Sequence, residues 1–206
     1  MARILRRLVM LLAVAGLTVV GGMASAAPAK VDAPEVAMGD PKAKVTIVEY
    51  ASLTCPHCAR FNIEVLPEFK RRYIDTGKVR YVLREFLTAP EEVAAAGFLI
   101  ARCAGKDKYF DAIDAMFRGQ AEMYDSGDPR TALLKEGRAG GLTDEETMAC
   151  TQDQAALKAL GDRVDKAISV EKINATPTFL IGGKKFEGEQ SFEKLEALVQ
   201  PLLAAK

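Results

Sequence analysis

The sequence is poor in several features that would declare a function at once. It has one histidine, His57, too few for a histidine-rich metal site. It shows no internal repeat and no glycine loop of the kind that cradles nucleotide phosphates. Basic and acidic side chains balance at 28 each, which speaks against nucleic acid as a partner. Only one long apolar run occurs, Leu8 to Val20, and its 13 residues fall short of the ~20 that a spanning helix needs.

That run belongs to an N-terminal pattern. Arg3, Arg6 and Arg7 precede it, and Ala24-Ser25-Ala26 follows. Basic, then apolar, then A-x-A is the order of a cleavable secretory signal, so residues 1–26 are expected to be a signal peptide that sends the protein to the periplasm. The remainder carries 25 basic and 28 acidic side chains and all four cysteines: Cys55, Cys58, Cys103 and Cys150. Disulfides persist in an exported chain, and an even count fits two bridges, although four cysteines allow three pairings.

Residues 27–40, rich in Ala and Pro, are expected as an extended arm. The β-branched stretch AKVTIVEYAS (43–52) predicts a buried strand. CPHC follows it. Phe61, Val65, Phe69 and Tyr73 recur at helical spacing, with Pro67 predicting a kink and Gly77 a stop. KVRYVLREF (78–86) predicts a second strand, parallel to the first because a helix connects them. Residues 88–151 read as a block of short helices, with Pro90 in the first turn and Thr143 and Glu146 as a capping box. A helix with Leu157, Leu160, Val164, Ala167 and Ile168 on its sheet-facing side comes next. TPTFLI and KKFEG flank Gly182-Gly183 as a hairpin, and an amphipathic helix carrying Phe192, Leu195, Leu198 and Val199 ends the chain. The expected class is α/β, in the order β-α-β, helical block, α-β-β-α. That is the thioredoxin-fold order with a helical insertion, its core formed by residues 41–87 and 152–206.

The strand–helix junction gives CPHC its chemistry. It places Cys55 at a helix N-terminus, where free N–H groups and the positive end of the helix dipole favour a thiolate. Cys58 lies one turn on. Pro56 suits the first turn, and His57 could add a positive charge or a hydrogen bond to the Cys55 thiolate. A stabilised thiolate makes the reduced pair stable and the disulfide an oxidant. Two other readings stand beside this one. CxxC can be half of a zinc site, but Cys103 and Cys150 lack CxxC or HxxxH spacing. It can also be a pair of inert core cysteines.

EYASLTCPHCARF (49–61) together with NATPTFLIGG (174–183) resembles the DsbA branch of the thioredoxin superfamily, the exported thiol–disulfide oxidoreductases. The resemblance covers nearly all of the chain past the signal. It implies a cis Pro177 facing the dithiol, with Thr176 offering backbone groups to a bound peptide. It implies a proton-relaying carboxylate at Glu49 beneath Cys58, where an outward-facing acid is the alternative. It also implies a monomer that oxidises reduced exported proteins, is reoxidised by a quinone-linked membrane partner, and needs no cofactor or metal. An isomerase or reductase of the same fold, or a soft-metal module binding Cu(I) on the dithiol, are the alternatives. Cys103, on the apolar side of its helix, and Cys150, at the end of the capped helix, are expected to form a structural disulfide. Two buried free thiols are the other possibility there.

Overall fold

A computed structural model of the chain describes residues 35–205. The expected signal peptide and residues 27–34 of the expected arm lie outside the described residues. Strand β1 (Val36–Met38) opens the described chain, and the β-branched run forms β2 (Val45–Ala51). A helical stretch then leads to β3 (Val79–Glu85). Four helices follow: α3 (Glu91–Cys103), α4 (Tyr109–Ser126), α5 (Pro129–Ala139) and α6 (Asp144–Cys150). The chain closes with α7 (Gln154–Ser169), the hairpin β4 (Thr178–Ile181) and β5 (Lys184–Glu187), and α8 (Phe192–Ala204).

The sheet runs β1-β3-β2-β4-β5. β2 and β3 are parallel, as their helical crossover requires, and the other pairings are antiparallel. The two-residue turn is set by Gly182 and Gly183, at φ +55° and +75°. Only glycine takes two successive positive φ values without a Cβ penalty, and that backbone matches the strand twist.

The stretch between β2 and β3 is not one regular helix. It consists of α1 (Pro56–Arg60), a π-helical turn (Phe61–Val65), α2 (Leu66–Phe69) and a second π-helical turn (Lys70–Ile74). The Leu66 N–H bonds to the Phe61 carbonyl, five residues back. Pro67 has no N–H to continue the ladder, and the widened turn just before it absorbs that loss. The register break therefore takes the form of π turns around a proline.

Side chains alternate across the sheet. Ile47, Phe179 and Ile181 belong to the large core that includes Phe61, Phe69, Leu195 and Val199. Phe61 and Phe179 meet edge to face at 4.8 Å between centroids, worth roughly 0.5–1.5 kcal/mol beyond their burial. Tyr50, Phe86, Ala167 and Ile173 form a smaller core with α7. On α7 the buried residues are Ala156, Leu160, Val164 and Ala167, whereas Leu157 and Ile168 are exposed. The expectation that those two face the sheet is corrected. At 100° per residue the buried face centres between Leu160 and Ala167, and Leu157 and Ile168 fall on its flank.

The four-helix block packs by close approach. A Cβ on Gly97 of α3 would stand 2.6 Å from Leu53 Cδ1, in the loop that carries the cysteines. Thr143 and Glu146 form a capping box at α6, and the Asp128 side chain caps α5 ahead of Pro129. Cys103 and Cys150 are joined as a disulfide, tying the end of α3 to the end of α6. The Glu85 carboxylate, at the end of β3, is buried between Arg102 of α3 and Arg163 of α7, with Arg163 Nε at 2.6 Å. It pins the block and α7 to the sheet.

Candidate active site

β2 ends at Ala51, and residues 52–55 carry the chain to α1. This short link is tied down on several sides. Thr54 Oγ1 donates to the Thr88 carbonyl at 2.8 Å. Two side chains of α4 reach across: Gln120 Nε2 donates to the Leu53 carbonyl at 2.8 Å, and Tyr124 OH to the Thr54 carbonyl at 2.5 Å. The helical block thus holds the loop from which the cysteines project. Neither Gln120 nor Tyr124 was foreseeable from local pattern, because each acts across more than 60 residues of chain.

Cys55 is the N-cap residue of α1, with extended backbone and no side-chain cap bond, and Pro56 fills the first helical position. Its sulfur is therefore free to be served by the helix rather than to serve it. The Cys55 pKa is pulled down to about 5. The Cys58 thiol, hydrogen-bonded to Cys55, is the largest cause; burial opposes it, and the Thr176 side chain and the backbone N–H groups of Cys58 and His57 add to the lowering. Cys58 is fully buried, and burial pushes its thiol up, with the neighbouring Cys55 and Glu49 acting in the same direction. The two sulfurs, both buried free thiols here, are thus pushed in opposite directions: Cys55 toward the thiolate and Cys58 toward the proton-bearing form.

The opposite wall is the link before β4. The Thr176–Pro177 peptide bond is cis, and Cys55 Sγ lies 3.4 Å from the Thr176 carbonyl. A second cis bond, Ala89–Pro90, follows β3; sequence reading placed Pro90 in the first helical turn, and it stands as the N-cap of α3. Glu49 points inward and is 2% exposed. Tyr81 OH donates to its carboxyl. Burial is the main cause that raises the Glu49 pKa to about 8, against the lowering effect of Tyr81. Tyr81 was not singled out from sequence, although β2 and β3 in parallel register bring its side chain to the same face as Glu49.

His57 differs from expectation. Its side chain is 61% exposed, and Nδ1 lies 3.0 Å from Glu189 Oε1, on the loop after β5. What His57 gives Cys55 is its backbone N–H. The reason is helical geometry: a residue in the first turn points its amide toward the helix mouth and its side chain away from the axis. Cys103 and Cys150 lie apart from this cleft, in the block. Among the described residues, no group of three or more His, Cys, Asp or Glu side chains is placed to hold a metal ion, and no helix is long and apolar enough to cross a membrane.

A vicinal dithiol at the mouth of the first helix, opposed by a cis-proline, defines a redox-type site on a thioredoxin fold. The chain belongs to the thioredoxin family, whose model matches residues 32–201. A protein of Rickettsia bellii that carries the provisional name protein-disulfide oxidoreductase is 33% identical over 159 residues, which is 77% of this chain and 61% of that protein. This chain therefore spans less than two thirds of that relative. Disulfide bond formation protein D of Bacillus subtilis is 22% identical over 179 residues, 82% of this chain and 77% of its own. The crystal structure of Wolbachia pipientis alpha-DsbA1 superposes with a TM-score of 0.75 at 27% identity, covering 82% of this chain and 90% of that one.

Proposed function

We propose that this chain is a protein disulfide oxidase of the DsbA type that donates the Cys55–Cys58 disulfide to reduced exported proteins. The observation that carries it is the division of labour between the two sulfurs. A Cys55 thiolate stabilised at the helix mouth makes the reduced pair the favoured state, so the disulfide gives up its bond readily.

The reaction begins with the Cys55–Cys58 disulfide. A substrate thiolate attacks Cys55 Sγ, the S–S bond breaks, and Cys58 leaves with the electron pair. Cys58 needs a proton, since burial holds its thiol form. The Glu49 carboxyl, with a pKa of about 8, carries one at neutral pH and can supply it. A second substrate thiolate then attacks the substrate sulfur of the mixed disulfide. Cys55 departs as a thiolate, a good leaving group at a pKa of about 5. Two electrons pass to the protein and one disulfide to the substrate.

In this reading an extended substrate segment passes Cys55 along Thr176 and Pro177, a course supported by the Thr176 carbonyl 3.4 Å from Cys55 Sγ. A quinone-linked membrane partner that accepts the two electrons, export to the periplasm and a monomeric state belong to the same reading. The basic–apolar–A-x-A start and the Cys103–Cys150 disulfide support it. The roles of Cys55, Cys58, Glu49, Thr176 and Pro177, and the assignment of residues 88–151 as an insertion into a thioredoxin-fold core, are part of the proposal.

The test mixes the oxidised protein with a reduced two-cysteine peptide. Stoichiometric peptide disulfide should form, and Cys55→Ser should abolish it. Absence of peptide oxidation by the wild-type protein would overturn the reading. Faster recovery of a scrambled substrate than of a reduced one would move the assignment to an isomerase.

A further inference from the structure

Glu189 stands 132 residues from His57 in sequence, yet its carboxylate spans two residues of α1. Oε1 lies 3.0 Å from His57 Nδ1, and Oε2 lies 3.1 Å from Arg60 Nη1. The loop that carries it is fixed. The Gly188 N–H donates to the Pro177 carbonyl at 2.8 Å, and the buried Gln190 side chain donates to the Gly188 carbonyl at 2.7 Å. Ser191 then caps α8. Glu189 is thus built onto the cis-proline wall that faces Cys55. Both active-site sulfurs are free thiols here, and the imidazole still turns to Glu189 rather than to Cys55.

We propose that Glu189 is a positioning residue that sets the redox poise of the Cys55–Cys58 pair, by keeping the His57 imidazole on its own carboxylate and off the Cys55 sulfur. This rests on the exchange chemistry proposed above. The physical argument has two parts with one sign. With Nδ1 engaged by the Glu189 carboxylate the imidazole is turned away from the Cys55 sulfur, and the negative charge of that carboxylate opposes a second negative charge on Cys55. Both effects make the reduced form less favourable and restrain the oxidising power that the helix mouth confers. Arg60 works against this restraint, because it shares the Glu189 charge. The cleft thus carries a brake on its own oxidant strength, set by a residue outside CPHC.

The test is the equilibrium between this protein and glutathione, in which the protein disulfide takes up two electrons and two protons from two glutathione molecules to give the dithiol and glutathione disulfide. Glu189→Gln should raise the constant for protein reduction by about two- to fivefold, the range of an exposed ion pair. In a His57→Ala background the same substitution should lose most of that effect. Arg60→Gln should move the constant the other way. Glu189→Asp, with a shorter reach, should give a smaller change of the same sign as Glu189→Gln. An unchanged constant in Glu189→Gln, or an equal shift with His57 absent, would overturn the proposal. The glutathione equilibrium uses this chain alone. Failure to oxidise a substrate peptide would strike the oxidase reading, while a flat response here would strike only the role of Glu189.

Discussion

The two cysteine pairs of this chain show how one element serves two purposes. Cys55 and Cys58 sit at the mouth of α1, where backbone amides, a buried neighbour thiol and the Thr176 side chain differentiate the two sulfurs. Cys103 and Cys150 sit at the ends of α3 and α6 and join two helices of the block. The first pair is three positions apart, on one helical turn; the second closes a loop of 47 residues. A short vicinal loop removes little chain entropy, so its bond is free to serve chemistry. A long loop removes much more, so its bond serves the fold. The same contrast separates the two inward-facing glutamates of the sheet. Glu85 is paired with two arginines and anchors; Glu49 accepts from a tyrosine hydroxyl, and burial raises its pKa to about 8.

The largest expected effect tests the anchoring side. Glu85→Ala leaves Arg102 and Arg163 without the carboxylate between them, and should cost about 3–5 kcal/mol in denaturant unfolding. The Cys55 pKa should stay where it is, since Glu85 is not among the groups that set it. A displaced Cys55 pKa would break the separation of scaffold from site. Next, replacing both Cys103 and Cys150 by Ala should cost roughly 3–4 kcal/mol by the loop-entropy relation, with peptide oxidation retained. Loss of oxidation in a variant that still folds would show the two pairs to be coupled.

Glu49→Gln sharpens the comparison from the chemical side. Exchange should slow by about a hundredfold or more at neutral pH, with the loss concentrated in the steps that protonate or deprotonate Cys58. A pH dependence of stability accompanies it. The folded carboxyl titrates at about 8, above its unfolded value, so the unfolded state releases its proton first. The penalty on folding is absent below the unfolded pKa, grows as pH rises, and is complete above about 8. Wild-type protein should lose stability across that window more steeply than Glu49→Gln. Parallel stability–pH curves for the two proteins would contradict the buried-acid account. The smallest effect concerns Glu136 of α5, fully buried with neither oxygen hydrogen-bonded. Burial raises its pKa well above the ordinary carboxylate range, so it too weakens the fold as pH rises. Glu136→Met should stabilise the protein by about 1–3 kcal/mol at neutral pH, because an unpartnered buried polar group is removed. A destabilised variant would mean that this carboxyl has a partner in solution.

Much of the fold was legible because its signals are local. The β-branched run before CPHC, the capping box of Thr143 and Glu146, and Gly182-Gly183 each act within a few residues, and each appears where its chemistry requires. The cleft was only half legible. Cys55 at a strand–helix junction could be read from spacing; the direction of His57 could not, because it depends on Glu189 at the far end of the chain. Tyr81 on Glu49, and Gln120 and Tyr124 on the cysteine loop, are likewise contacts between distant segments. The π turns around Pro67 were hidden for another reason. A proline announces a break in the ladder but not the form that the break takes.

The central claim is that the helix mouth and the Cys58 thiol make Cys55 a thiolate at neutral pH. The pH dependence of Cys55 alkylation in the reduced protein, with Cys58 as the internal unreactive control, measures this directly. The midpoint should fall near 5, with the reaction confined to Cys55. A midpoint near that of an ordinary cysteine thiol, or equal labelling of Cys55 and Cys58, would contradict the claim.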